Sequence, residues 1–266
     1  MKKITLLFLL LATTVFSQVR LLSWNIENLG KSKSEEALAF MVATMKYHDI
    51  VAIQEVVAGY GGAQTVAKLA DLLNRTGNKW DYVVSNPTSS SAYKTERYAF
   101  LWKTATIKKV GKPWLEQKYH QVIDREPFFC TFDYQGKQVT IVNFHAITKN
   151  RQPETEIKYF KFFPETYPKL NLLFAGDFNC PQSHSVFNPW RKMGYVPILT
   201  NQKTSLRKKC DNGDCLASEF DNIWYHSQKI KAITSQIIPF HQSFPNITEA
   251  RKISDHVPVS FTFTLL

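Results

Sequence analysis

The chain has 266 residues, of which 44% are hydrophobic and 21% are charged. This composition is ordinary for a soluble globular protein with a full core, and the length suits one large α/β domain or two small ones. After the first 17 residues no stretch is long and apolar enough to cross a membrane as a helix, which argues against an integral membrane protein of that kind.

The chain is strongly basic, with 33 lysines and arginines against 22 acidic residues and a formal net charge of +11. Such a surplus either keeps a protein soluble or attracts it to a polyanion, because a basic surface gains free energy by displacing counterions from phosphates. Charge alone does not decide between these two interpretations.

Residues 1–17 have the pattern of a secretory signal peptide. Lys2 and Lys3 form a basic start, residues 4–12 are an apolar run, and the residues that follow offer a cleavage site. The apolar run is shorter than the ~20 residues of a membrane-spanning helix, so a permanent anchor is the weaker interpretation. We expect a mature domain over residues 18–266, secreted to the periplasm or the medium, monomeric and without a stable membrane anchor. Without the two lysines its 31 basic and 22 acidic residues give a formal charge of +9.

Nine short apolar runs bounded by polar clusters predict strands. They cover residues 19–25, 50–54, 82–85, 99–102, 128–134, 139–145, 172–179, 221–225 and 257–263. Helical patterns lie between several of these runs. Such an arrangement allows either a doubly wound sheet or two packed sheets with helices outside, and the pattern alone does not choose.

Four helices are predicted in chain order. The first opens at a capping box formed by Ser32 and Glu35. Its apolar face is predicted from the spacing of Leu38, Met41, Val42 and Met45. The second has the same spacing at Val66, Leu69, Ala70 and Leu73. The third begins at Pro153 and runs past Tyr159, and Ser183 caps a short fourth helix.

Four cysteines in an exported chain allow disulfides. Cys210 and Cys215 flank the turn-rich tetrapeptide at residues 211–214, which predicts a small loop closed by a bridge. Cys130 and Cys180 lie in or beside strand-like runs, and the sequence leaves open whether they pair or remain buried thiols.

Polar side chains collect at the ends of the apolar runs. Taken singly, such residues are most often caps or turn residues. Together they are typical of a hard-cation site flanked by two proton-transfer groups, because sites in α/β folds form beyond strand ends. The residues in question are Asn25, Glu55, His145, Asp177, Asn179, Asp221, Asp255 and His256.

This combination fits phosphodiester hydrolysis. A cation must offset the charge that builds on the phosphate oxygens, and carboxylates such as Glu55 and Asp255 suit Mg²⁺, with Mn²⁺ or Ca²⁺ as alternatives. One histidine deprotonates the attacking water and a second protonates the leaving oxygen, each held by a carboxylate. Zinc is the weaker interpretation, because neither H-x-x-x-H nor C-x-x-C spacing is present.

Four sequence blocks also resemble the signatures of the endonuclease/exonuclease/phosphatase superfamily, in family order and across the whole mature chain. They are Ser-Trp-Asn-Ile at residues 23–26, Ile-Gln-Glu-Val at 53–56, Gly-Asp-Phe-Asn at 176–179 and Ser-Asp-His-Val-Pro-Val at 254–259. Residues 49–56, 82–87, 93–101 (with Thr95 inserted) and 125–128 resemble its deoxyribonuclease I-like branch. The resemblance implies a four-layer α/β/β/α sandwich of two packed mixed sheets with outer helices.

The resemblance also implies a role for each matching residue. The acid/base histidines are His145 and His256, oriented by Glu96 and Asp221 respectively. Asp177 and Asn179 orient the water and the scissile phosphate. The metal ligands are Glu55, Asn25 and Asp255. The substrate-binding residues are Arg125, Arg97 and Tyr93, although packing for Tyr93 and a surface charge for Arg125 are equally good interpretations.

The function implied is a secreted, metal-dependent endonuclease that hydrolyses DNA, with RNA as an alternative substrate. Two rivals remain: a hydrolase of the same fold acting on a phospholipid or inositol phosphate, and an inactive nucleic-acid-binding module. The chain also departs from the deoxyribonuclease I pattern. Glu27 and Val57 stand where that enzyme has arginines, and its calcium-binding loops are not recognisable. Groove contacts and calcium dependence are therefore expected to differ.

Overall fold

The computed structural model describes residues 18–90 and 95–266. The expected signal peptide at residues 1–17 and the predicted sugar contact Tyr93 lie outside the described residues. In the part that is described, none of the helices is long and apolar enough to cross a membrane.

The described residues form fourteen strands and six α-helices, joined by short 3₁₀ turns. The strands are β1 (Val19–Leu29), β2 (Ile50–Val57), β3 (Trp80–Val84), β4 (Glu96–Lys103), β5 (Lys108–Leu115), β6 (Phe128–Tyr134), β7 (Lys137–His145), β8 (Leu172–Asp177), β9 (Tyr195–Pro197), β10 (Leu206–Asp211), β11 (Asp214–Leu216), β12 (Asp221–His226), β13 (Ile230–Ile237) and β14 (Val259–Leu265). The helices are α1 (Glu35–Met45), α2 (Tyr60–Asn74), α3 (Glu154–Ile157), α4 (Phe163–Thr166), α5 (Asn188–Lys192) and α6 (Ile247–Arg251).

Two six-stranded mixed sheets carry the fold. The first has the order β13-β14-β1-β2-β4-β3 and the second the order β5-β6-β7-β8-β12-β9. Each contains one parallel pair, β1 with β2 and β7 with β8, while the remaining pairs are antiparallel. Strands β10 and β11 form a separate two-stranded hairpin.

Three apolar layers hold the two sheets and their helices together. Alternation along β1 sends Leu22 and Trp24 toward α1 and α2, and sends Val19 and Leu21 toward the second sheet. The outer face of the second sheet packs an aromatic cluster, including Phe174, against the α3–α5 region. The order is therefore helix, sheet, sheet, helix, and the expected four-layer sandwich is confirmed.

The predicted helices exist, but three of their details were wrong. The first helix is capped by Ser34, which accepts a hydrogen bond from the Ala37 N–H at 3.2 Å, so Ser32 and Glu35 form no capping box. The helix expected from Pro153 past Tyr159 breaks after α3 and continues as a 3₁₀ turn and α4. Before α5 the cap is His184, not Ser183, because its imidazole accepts from a backbone N–H. Neighbouring residues of capping type make such positions ambiguous in a sequence.

The predicted strands are all present, and the ones missed lie at sheet edges or outside the sheets. β5 and β13 are edge strands, β5 exposed or half-buried throughout and β13 mostly exposed, so they lack the apolar alternation that identifies a buried strand. Gly111 and Pro113 also interrupt the pattern of β5. The three-residue β9 and the β10–β11 hairpin carry too few buried residues to show a pattern.

Two of the four cysteines form a disulfide, and the other two are free thiols. Cys210 and Cys215 form the predicted disulfide, which closes the β10–β11 hairpin. Asn212 and Gly213 make its two-residue turn with φ of 47° and 84°, the left-handed conformation that Asn-Gly turns favour. Cys130 and Cys180 are buried free thiols.

The buried side chain of His48 makes the stability of the fold depend on pH. Its Nε2 lies 2.9 Å from the Ser260 hydroxyl. Burial, and to a lesser extent the nearby Arg20, lower the pKa of His48 from 6.5 to about 4. Within that window the unfolded chain binds a proton that the folded protein does not, so the contribution of this residue to stability falls as the pH falls from 6.5 to about 4.

We predict that His48→Gln, which retains a polar group near Ser260 but cannot titrate, flattens the pH profile. Between pH 6.5 and 4 the free energy of unfolding falls in both proteins. The fall in the variant should be smaller than that in wild type by up to about 3 kcal/mol, at ~1.4 kcal/mol per pH unit. Denaturant titrations at several pH values measure it. Parallel profiles for the two proteins would contradict an uncharged buried His48.

Candidate active site

One cleft, with a volume of about 640 Å³, opens where the two sheets bring their strand ends together. β1 and β2 supply residues from the first sheet, and β7 and β8 supply residues from the second. The predicted residues that line the cleft are Glu55, Glu96, Arg125, His145, Asp177, Asn179, Asp255 and His256. Asn25 and Asp221 lie directly behind them, hydrogen-bonded to cleft residues.

His145 is held by a carboxylate from the opposite sheet. Its Nδ1 lies 3.0 Å from Oε2 of Glu96, at the start of β4. Arg125 completes the arrangement, with its Nη1 3.2 Å from the same oxygen and its Nε donating to the His145 carbonyl at 3.0 Å. Burial raises the pKa of Glu96, but the positive charges of His145 and Arg125 outweigh it and lower the pKa overall. Glu96 therefore remains a carboxylate.

His256 is held in the same way by Asp221. The imidazole Nδ1 and the carboxylate Oδ2 are 2.6 Å apart. The same Oδ2 accepts a second hydrogen bond, at 2.6 Å, from the hydroxyl of Thr204. That hydroxyl also accepts from the backbone N–H groups of Phe220 and Asp221. Sequence reasoning missed Thr204, because a fully buried threonine 17 residues before its partner leaves no pattern.

Asp177 lies between the two histidines. Its Oδ2 is 3.5 Å from Nε2 of His145 and 3.7 Å from Nε2 of His256, and it accepts from the Asn25 amide at 3.0 Å. Its Oδ1 accepts from the Asn179 backbone N–H at 2.8 Å. Glu96 and Asp221 contact the Nδ1 atoms of the two histidines. Their Nε2 atoms therefore face one another across the buried carboxylate of Asp177.

The carboxylates outweigh burial at both histidines. Burial and Arg125 lower the pKa of His145, but Glu96 and Asp177 raise it above its ordinary value. For His256, burial again lowers the pKa, and the nearby carboxylates, above all that of Asp221, raise it well above its ordinary value. Imidazoles positioned by carboxylates in this way are suited to proton transfer.

The backbone is strained where it positions these groups. Glu55 has φ of 60°, inside a stretch of β2 where the pairing with β4 changes register, and Asn179 has φ of 48°. Both are left-handed conformations that non-glycine residues adopt at a cost of about 1–3 kcal/mol. Gly176 has φ of 145°, and a Cβ there would lie 1.9 Å from the Phe144 carbonyl oxygen. Only glycine allows β8 to approach β7 so closely.

Asn25 and Glu55 fit a hard cation. Oδ1 of Asn25 is buried and has no hydrogen-bond partner among the described residues. Its Nδ2 donates to Glu55 Oε1 at 3.0 Å, and the Glu55 side chain is 24% exposed, which leaves carboxylate surface facing the cleft. A buried amide oxygen without a partner is costly unless a ligand satisfies it. Carboxylate and amide oxygens are the donors that Mg²⁺ and Ca²⁺ take.

A second donor group of Asp177, Asp221 and His256 also lies close enough to hold an ion, with ligand atoms within 4.8 Å of one another. We favour the Asn25–Glu55 position. Oδ2 of Asp221 is already occupied by His256 and Thr204, and a metal there would have to displace the hydrogen bond that orients the histidine.

Asp255 lines the same cleft, and its role as a metal ligand stays a prediction. Its Oδ2 lies 3.4 Å from Nη2 of Arg251, and its Oδ1 is 3.9 Å from Nε2 of His256. Glu27 lies close enough to Asp255 and Glu55 to be influenced by both carboxylates. Burial, followed by the charge of Asp255, raises the pKa of Glu27. Glu27 is thus an additional acidic residue near the proposed cation, at a position where the resemblance expected an arginine.

The substrate-binding residues have mixed outcomes. Arg125 is buried, so the surface-charge interpretation was wrong, and its contact with phosphate stays a prediction. Arg97 donates to the carbonyls of Ala58 at 2.9 Å and Ser85 at 2.8 Å, which ties it to the backbone beside the cleft. Its contact with substrate, like that of Tyr93, stays a prediction.

Comparison with known families agrees with this geometry. Residues 22–256 match the Endonuclease/Exonuclease/phosphatase family. The chain belongs to this family. A relative named deoxyribonuclease-1, from dog, is 31% identical over 92% of this chain and 91% of its own length. Human deoxyribonuclease gamma is 27% identical over 96% and 89%, and a deoxyribonuclease of Thioalkalivibrio is 29% identical over 97% and 74%.

Solved structures of the family share the fold. A family protein from Bacteroides thetaiotaomicron superposes with a TM-score of 0.66 at 15% identity, covering 93% of this chain and 97% of that one. A mannosyl-6-phosphatase of the same organism gives 0.64 at 15% identity, over 93% and 99%. At this identity they show the fold alone. The family match and the curated relatives identify a phosphodiester hydrolase of the deoxyribonuclease I-like branch.

We predict that Thr204→Val, which removes only the hydroxyl, lowers turnover of a small chromogenic phosphodiester by roughly 10- to 100-fold per folded molecule, the usual cost of losing a group that orients a catalytic side chain. The reason is that Asp221 loses one of the two bonds to Oδ2. Thr204→Ser keeps the hydroxyl and is expected to retain most activity. Equal turnover in the Val and wild-type proteins would show that Thr204 only supports folding.

Proposed function

We propose that the protein is a secreted, divalent-cation-dependent endonuclease that hydrolyses the phosphodiester bonds of DNA. The observation that carries the proposal is the pair of histidines, each held through Nδ1 by a carboxylate, whose Nε2 atoms both face Asp177. The names of the curated relatives support DNA as the substrate. Export rests on the pattern of residues 1–17.

The reaction needs two proton transfers, and the chain provides a group for each. One imidazole accepts the proton of the attacking water, and the other donates a proton to the leaving oxygen. Glu96 and Asp221 each accept a hydrogen bond from Nδ1–H, which keeps that proton on Nδ1 and leaves Nε2 as the atom that exchanges a proton with the substrate. Asp177 and Asn179 line the same cleft as the two histidines and would hold the attacking water and a phosphate oxygen.

Asn25 and Glu55 would hold the cation. Once bound, a divalent cation supplies positive charge that stabilises the phosphate as negative charge develops on its oxygens. This charge is needed here because four carboxylates line the cleft, those of Glu55, Glu96, Asp177 and Asp255, and each would repel a phosphate. Arg125 also lines the cleft, but its guanidinium is engaged by Glu96 and two carbonyl oxygens.

An inactive binding module is disfavoured, because both histidines, Glu96 and Glu55 line one cleft and Asp221 holds His256 from behind it. A phospholipid or inositol phosphate is a substrate that the same core could attack, and the fold alone does not distinguish it. The formal charge of +9 expected for residues 18–266 favours a polyanionic substrate. Activity on supercoiled plasmid beside activity on phospholipid vesicles and an inositol phosphate is the test, and cleavage of the lipid or inositol ester but not of DNA would refute the proposal.

We predict that exhaustive chelation abolishes DNA hydrolysis and that added Mg²⁺ restores it. Cation binding measured by calorimetry gives a second readout. Glu55→Gln keeps the shape of the side chain but removes its charge, and should weaken Mg²⁺ binding at least about tenfold, equivalent to ~1.4 kcal/mol. Glu36→Gln, on the exposed face of α1, is the matched control. Hydrolysis undiminished by chelation would refute the cation site.

We predict that His145→Ala and His256→Ala each lower turnover by roughly 10²- to 10⁴-fold, the usual contribution of one positioned acid or base. The two losses should not add in the double variant, because both groups act in one transition state. DNA binding should change little. An enzyme that melts early but hydrolyses DNA at the wild-type rate per folded molecule would show that the histidine is structural.

A further inference from the structure

The β10–β11 hairpin is a basic arm at the edge of the cleft. Residues 203–214 contain four basic and two acidic residues. Asp214 is already paired with Lys203 at 2.7 Å and with Arg207 at 3.8 Å. Lys208 and Lys209 are exposed and have no hydrogen bond or ion pair to other described side chains. The hairpin therefore carries uncompensated positive charge into solvent.

Only one of these two ammonium groups lies at the cleft. Leu206 and Lys208 both line it, in the stretch of β10 where the pairing with β11 changes register. Arg207 pairs with Asp214 within the hairpin, and Lys209 does not line the cleft. The fold thus places Lys208 beside the catalytic residues, whereas the neighbouring Lys209 is not placed there.

The hairpin is fixed to the catalytic segment at its base. The Leu206 N–H donates to the Asp255 carbonyl at 2.6 Å, and Arg251 Nη1 donates to the Leu206 carbonyl at 2.8 Å. Ser205 forms an isolated bridge with His256. The disulfide Cys210–Cys215 closes the other end. The backbone that leads to Lys208 is therefore attached at its base to the segment that carries His256, and the disulfide holds the two strands of the hairpin together.

A second free ammonium group comes from the other sheet. Lys149 follows β7, lines the same cleft, and has no ion pair among the described residues. The carboxylates that line the cleft would repel phosphate unless a cation is bound, whereas these two lysines attract it. A substrate with a single phosphate engages the catalytic residues alone, but a polynucleotide has further phosphates on both sides of the scissile one.

We infer that Lys208 on the disulfide-closed hairpin, together with Lys149, binds backbone phosphates that flank the scissile phosphate, so that the cleft selects a polynucleotide over a small phosphodiester. This inference rests on the proposed nuclease function. The contact is electrostatic and independent of base sequence, since lysine binds phosphate as a point charge. It acts on substrate affinity and not on the chemical step.

The test compares kcat/KM for DNA and for a small chromogenic phosphodiester in wild type, Lys208→Ala, Lys149→Ala and the matched control Lys209→Ala. Lys208→Ala and Lys149→Ala should each lower the ratio of the two values about five- to tenfold through KM, and reduce the slope of log KM for DNA against log salt by about 1. Lys209→Ala should leave the ratio at the wild-type value, and Lys208→Arg should restore it.

Each outcome is decisive. If wild type cleaves DNA but Lys208→Ala keeps the wild-type ratio and salt slope, the hairpin assignment is overturned while the proposed function stands. Equal losses in Lys208→Ala and Lys209→Ala would also overturn it, because net charge and not position would then be responsible. If wild type hydrolyses the small diester but no DNA, both the proposed function and the inference fail.

Discussion

One buried carboxylate, that of Asp177, is shared by an amide and two imidazoles that come from both sheets. Asn25 reaches it from β1, His145 from β7, and His256 from the segment before β14. A buried carboxylate is costly unless several donors surround it, so these groups and the packing of the two sheets hold one another in place. The close approach of β7 and β8 at Gly176 sets its position.

Each of the two histidines is held by a carboxylate, but a different kind of side chain supports each carboxylate. His145 pairs with Glu96 across the sheet interface, and Arg125 supports that carboxylate. His256 pairs with Asp221, and the neutral hydroxyl of Thr204 supports it. Strain at Glu55 and Asn179 adds to the cost of the site, and the three apolar layers around it stabilise the fold against that cost.

Much of this arrangement could be read from the sequence because buried strands have simple patterns. Polar residues that interrupt or follow an apolar run, such as Glu55 and His145, are visible without a structure. The supporting residue Thr204 and the edge strand β13 are not, since their roles depend on contacts between distant segments or on solvent exposure. Arg125 was visible only through resemblance, and its burial became apparent from the contacts of its guanidinium.

The most direct test of a shared central carboxylate is turnover of Asp177→Asn on DNA, compared at equal folded fraction with Glu96→Gln and Asp221→Asn. Because Asp177 faces both imidazoles and each of the other carboxylates holds only one, Asp177→Asn should lose more turnover than either of them, by about tenfold or more, equivalent to ~1.4 kcal/mol in the barrier. A loss no larger than that of Glu96→Gln or Asp221→Asn would contradict the account.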